Sequence, residues 1–207
     1  VIRRADIDIC FSEGFSPHMI MSFASPLGVG LTSDAEYVDI RVNTAPSSAE
    51  AVRRMNETMA EGMDVVSFRL LPENSKNAMS IVAAADYEVR FREGQEPENG
   101  WQEKWREFLS RPEICILKET KKGRQEVDIR PWICDWSVME DGFFLQVSAG
   151  SVHNLKPELL MQAFGTWAGM ELPASSLLIH RKEIYADQGT EGKQKLISLE
   201  GLGVNLG

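Results

Sequence analysis

The run Ser12-Glu13-Gly14-Phe15-Ser16-Pro17-His18 puts an imidazole, a carboxylate and two hydroxyls into one loop-forming segment. An imidazole titrates near neutrality and can act as a general acid or base once a neighbour fixes its orientation. Pro17 restricts the backbone that enters His18. His18 is therefore the expected catalytic residue, with Ser12, Glu13 and Ser16 as its candidate orienting partners. Ser12 and Gly14 are expected binding positions of the same loop. The plainer alternative is a turn over one end of a sheet, with His18 satisfying backbone groups.

A second run is basic. Residues 118–130 carry Lys118, Lys121, Lys122, Arg124 and Arg130 against Glu119, Glu126 and Asp128, in a chain whose net charge is −9. A protruding hairpin with Lys121, Lys122 and Arg124 at its turn, and Arg130 behind it, could touch RNA phosphate. A solvated turn, or an Asp128–Arg130 ion pair, is the competing reading. So acidic a chain has no general attraction for nucleic acid, and such binding must be local. Asn154 and Lys156 open a helix, where unpaired N–H groups can hold an anion. Ordinary capping by Asn154 is the alternative. Gly28 and Gly30 read as a tight connection, because neither a Walker lysine nor a Gly-x-Gly-x-x-Gly pattern accompanies them.

Other chemistries lack their residues. Cys10, Cys115 and Cys134 are far apart and form no Cys-x-x-Cys pair, and His18, His153 and His180 do not share ligand spacing. Neither metal nor cofactor is expected. Buried, reduced thiols in a cytoplasmic protein are the simplest account of the cysteines. No apolar run approaches the roughly 18 residues of a membrane span. Of the tryptophans, Trp101, Trp105 and Trp167 fall on apolar helix stripes and belong to a core, whereas Trp132 and Trp136 could face a core or a groove.

The elements that must position these residues follow from periodicity. The chain has 207 residues, 43% hydrophobic and 26% charged, within the range of globular domains. Val1–Ala5 reads as the last turn of an amphipathic helix. A strand broken by the Ser12–Pro17 loop, a strand over Glu36–Val42, a helix capped by Ser47 with Glu50 three residues on and stopped at Gly62, and a strand over Val65–Leu70 come next. With a strand and most of a helix restored upstream, the order is βαββαβ, the ferredoxin-like unit. After a short helical turn the pattern repeats. It runs as a strand at Tyr87–Phe91, a helix bearing Trp101 and Trp105, a hairpin, paired strands to Val147, a helix over Asn154–Trp167 and a strand over Leu177–Ile184. The expected fold class is α+β, with two tandem ferredoxin-like units. The first covers residues 1–77 and lacks its opening strand and part of its first helix. The second covers residues 78–187 with an extra hairpin, and residues 188–207 form a flexible Gly-rich tail.

Four ordered runs carry a family resemblance. They are Cys10-Phe11-Ser12-Glu13-Gly14-Phe15-Ser16-Pro17-His18 with Ser22–Leu27, Ser33–Ile40, Lys121–Pro131 and Gly150–Leu160. Together they resemble the radical-SAM-linked bacterial proteins, a family of unknown function similar to the C-terminal domain of cobalamin-binding radical SAM proteins. The resemblance implies a partner radical SAM protein and supplies no mechanism. It points to an accessory module that presents an RNA or ribosome-linked substrate to that partner. The alternative is a metal-independent RNA-processing or RNA-modifying enzyme that uses His18.

Overall fold

The computed structural model describes residues 1–97, 100–120, 123–190 and 193–207. Its first strands are β1 (Asp8–Ile9), β2 (Met21–Phe23), β3 (Thr32–Ser33), β4 (Val38–Ile40) and β5 (Val42–Thr44). The helices α1 (Ser48–Asn56) and α2 (Ala78–Ile81) follow, then β6 (Val82–Phe91), α3 (Trp101–Ser110), β7 (Cys115–Thr120) and β8 (Gly123–Asp128). The chain continues through β9 (Ile133–Val138), β10 (Gly142–Ser148), α4 (Pro157–Ala168), β11 (Leu177–Asp187) and β12 (Leu196–Ser198). The architecture is mixed α+β, mostly sheet with few helices. It forms two compact units, one from Val1–Pro26, Glu36–Ile81 and Ala186–Gly207, the other from Leu27–Ala35 and Val82–Tyr185. Each unit thus draws on separated segments, where the sequence pattern predicts consecutive ones.

In the second unit the strand order is β11-β6-β10-β9, with β3 parallel to β11. β10 is antiparallel to both neighbours, with Leu145 opposite Tyr87 on one side and Trp136 on the other. Each helical connection skips one strand. The segment holding α3 leads from β6 past β10 to β9, and α4 leads from β10 past β6 to β11. Tyr87, Val89 and Phe91 alternate into the core, as β-branched and aromatic residues do on a half-covered sheet. Trp101 and Trp105 are buried on α3, as their helical spacing predicts. Trp105 packs 4.1 Å from Phe143 of β10 and edge-on to Phe164 of α4 at 4.9 Å. A Cβ at Gly142 would lie 2.0 Å from the Val89 carbonyl oxygen, so only glycine lets β10 begin this close to β6.

The first unit holds two short antiparallel pairs, β1 with β5 and β2 with β4, beside α1. Ile2, Ala5, Ile7 and Ile9 bury against Ala51 and Met55 of α1. Ser47 caps the helix in extended conformation, and its Oγ accepts the Glu50 N–H. The helix stops at Asn56, short of Gly62. The Asn56 side chain donates to the Val65 carbonyl (3.0 Å) and accepts the Val65 N–H (2.7 Å), an alternative to helical continuation. Among the described residues of the expected strand Val65–Leu70, only Leu70 makes a bridge, to Val204.

Within the expected flexible tail, residues 196–207 are instead packed. Leu199 is buried, Glu200 pairs with Arg69 at 2.9 Å, and the Leu206 N–H donates to Ser48 Oγ at 2.8 Å. A Cβ on Gly203 would meet the Arg69 Cβ at 2.7 Å. Here glycine marks close approach of backbone rather than freedom of the chain.

Candidate functional site

The Ser12–His18 segment is the tip of a hairpin rather than a break in one strand. Ile20 N–H donates to the Cys10 carbonyl (2.9 Å), Phe11 bridges Met19, and Ser12 N–H donates to the His18 carbonyl (2.8 Å). Gly14 takes φ +111° at the tip, where an added Cβ would meet nothing; the need for glycine is conformational.

The Ser12 hydroxyl lies 2.8 Å from His18 Nδ1 and accepts the His18 backbone N–H at 3.1 Å. One hydroxyl thus fixes both the ring and its backbone, and the ring itself remains exposed. Glu13 and Ser16, expected to orient the imidazole, are exposed and make no hydrogen bond to it.

Beside the tip is an open cleft of 590 Å³ lined by Ile9, Cys10, Phe11, Ser12, Glu13, Ile20, Arg41 and Asn43. Its polar side is a relay. Cys10 Sγ donates to Asn43 Oδ1 at 3.1 Å, and Asn43 Nδ2 donates to Asp8 Oδ1 at 2.9 Å. Arg41 is exposed and makes no ion pair among the described residues. Phe11, which lines the cleft, is 48% exposed, and elsewhere in the same unit Phe23 on β2 is 48% exposed and Phe15 at the tip is fully exposed. The cleft offers a ligand one aromatic face, Phe11, and one cation, Arg41, and the hairpin tip carries the exposed His18 and Phe15. Sequence reasoning finds Ser12 and His18 but misses Phe11, Phe15, Arg41 and Asn43. The signal for the rings is apolar residues placed among turn formers, where no core can claim them.

The remaining expected residues lie in the second unit. β7 and β8 pair from Cys115–Asp128 to Thr120–Gly123, which makes the expected hairpin. Lys121 and Lys122 lie outside the described residues. Arg124 is exposed on β8. Arg130 is half-buried, with Nη1 3.4 Å from the Ile133 carbonyl, and the Asp128 carboxylate accepts the backbone N–H groups of Ile114 and Arg130. That replaces the Asp128–Arg130 ion pair considered from sequence. Asn154 does not cap α4; it bridges Ala149. The cap position is Lys156, held extended because Pro157 follows it. The cysteines are not buried: Cys10 is half-buried, and Cys115 and Cys134 are exposed. Trp132 stacks near His153, with ring centroids 5.2 Å apart. A cluster that the sequence does not suggest joins Thr32 and Asp34 to His180 and Lys182. Separation by 148 residues hides it from any local motif.

Among the described residues no group of three or more His, Cys, Asp or Glu could hold a metal ion, and no helix is long and apolar enough to cross a membrane. The two units define a mixed α+β protein with an exposed aromatic and polar hairpin tip. Residues 1–157 match the family described as an uncharacterized protein conserved in bacteria (DUF2344), and the chain belongs to that family. No curated protein and no solved structure matches it.

Proposed function

We propose that the chain is a cytoplasmic accessory module that binds single-stranded RNA at the Ser12–His18 tip and presents it to a partner radical SAM enzyme. The observation that carries the RNA reading is the set of exposed rings Phe11, Phe15 and Phe23, of which Phe11 shares its cleft with an Arg41 that makes no ion pair among the described residues. Bases stack on aromatic faces while cations meet the phosphates, and such binding tolerates an acidic remainder of the chain. The radical SAM partner rests on the resemblance of the four sequence runs. The same proposal reads both units as variants of one βαββαβ plan. Supporting it are the strand order β11-β6-β10-β9 with two strand-skipping helices, and in the first unit the succession β1, β2, β4, β5, α1.

A second reading has its own observation. Ser12 fixes the His18 ring, as an acid or base that cleaves or modifies RNA requires. Purification of the full chain from cells, with sequencing of the RNA that accompanies it, tests the binding claim. The intact mass of that RNA before and after incubation separates binding, which leaves it unchanged, from processing.

A further inference from the structure

We propose that Thr32, His180 and Asp34 form a second site, a hydroxyl-activating centre that hydrolyses carboxylic esters. β3 and β11 run parallel with Thr32 opposite His180 and Ser33 opposite Arg181. The Asp34 N–H donates to the Arg181 carbonyl at 2.9 Å and continues that pairing. Alternation along both strands puts Thr32 and Asp34 on the same side as His180 and Lys182. Three groups then stand in series. Thr32 Oγ1 lies 2.7 Å from His180 Nδ1, and His180 Nε2 lies 3.1 Å from Asp34 Oδ1. Lys182 Nζ donates to the other Asp34 oxygen.

This order settles the protons. Asp34 is held ionised, its carboxyl below the usual range because Lys182 and then His180 donate to it. A carboxylate can only accept, so His180 presents Nε2–H to it and keeps its Nδ1 lone pair for the Thr32 hydroxyl. That is the relation of nucleophile, base and orienting acid found in hydrolytic triads, which are recognised by geometry and role. Thr32 is exposed and His180 part-exposed, so an ester carbonyl can reach the oxygen.

The step balances within the site and water. Thr32 Oγ1 bonds to the acyl carbon as its proton passes to His180 Nδ1. The carbon–alkoxide bond breaks, and the leaving alcohol takes that proton. Water, deprotonated by His180, then attacks the threonyl ester, releases the carboxylic acid and restores the hydroxyl.

The test uses the full chain and p-nitrophenyl acetate, with release of p-nitrophenolate followed by absorbance and the acetyl group located by peptide mass mapping. The expected result is a transient acetyl adduct on Thr32. Thr32→Val should abolish the adduct and Thr32→Ser should retain it. His180→Gln should slow its formation by about 100-fold or more, the range of a lost general base. An unmutated chain with no adduct on Thr32, or with acetyl confined to Lys182 or other lysines, overturns the proposal whatever the variants do. RNA binding at the hairpin tip is a separate readout, so either reading can fail alone.

Discussion

Tyr185 donates its phenolic hydrogen to Asp86 Oδ2 at 2.7 Å, and Gln146 Nε2 donates to Oδ1 of the same carboxylate at 2.9 Å. Asp86 is 8% exposed, so these two bonds replace most of its water. Burial, and then the bond to Asp86, push the Tyr185 phenol above its ordinary value of 10.0. A raised value means that the folded chain keeps a proton that the unfolded chain loses. Stability is then fully present below pH 10.0 and falls as pH rises beyond it. Urea unfolding at increasing alkaline pH should show this fall, and Tyr185→Phe should flatten it. At neutral pH the same variant should cost about 1–3 kcal/mol, because Asp86 loses a donor. An unchanged alkaline slope in Tyr185→Phe contradicts the assignment.

Phe143 and Phe144 are neighbours on β10 but face opposite sides. Phe143 is fully buried against Trp105 and Phe164, while Phe144 is half-buried. Phe143→Ala should lose about 3–5 kcal/mol in urea unfolding, through lost burial and a cavity. Phe144→Ala should cost clearly less. Equal losses would contradict the facing of β10.

Glu50 is gripped by Arg53 and Arg54 within α1, and its carboxyl is held down to about 2 from an ordinary 4.5. The sign follows from a lowered value: this stabilisation is present above pH 4.5 and is lost as pH falls through about 2. Acid titration followed by circular dichroism should show the loss, and Glu50→Gln should reduce it. No difference between the two titrations contradicts the role of the pair.

Legibility from sequence followed the range of the interactions. Trp101, Trp105 and the strand over Tyr87–Phe91 were readable because period 3.6 and period 2 are local signals. Ser12 and His18 were readable because six positions separate two partners in one turn. The end of α1 was not, since Asn56 looks like any polar helix residue until Val65 returns to it. Nor was the cap of α4, where Pro157 overrode the capping preference of Asn154. The packed tail misled because glycine permits both freedom and close approach, and only the return of Arg69 and Leu70 distinguishes them at Gly203. The Thr32–His180 pair depends on register between distant strands, which residue types do not encode locally.

The basic hairpin makes a separable prediction. If Lys121, Lys122 and Arg124 meet phosphate, replacing all three with Ala should weaken RNA binding. The salt slope should then shrink by roughly 0.7 for each phosphate of a single strand that is no longer neutralised. Thermal stability should change little. Unaltered affinity and slope remove the hairpin from the interface and leave the Ser12–His18 tip as its centre.

The most direct test of the account is equilibrium binding of a fluorescent single-stranded RNA to the full chain, compared with Phe15→Ala. The Phe15 ring is fully exposed, so removing it leaves the packing of the fold untouched. Loss of one stacked base should weaken binding by about 1–3 kcal/mol with the thermal midpoint unchanged. Binding of equal strength in the variant, or no binding by the unmutated chain at low salt, contradicts the claim that this hairpin tip is an RNA interface.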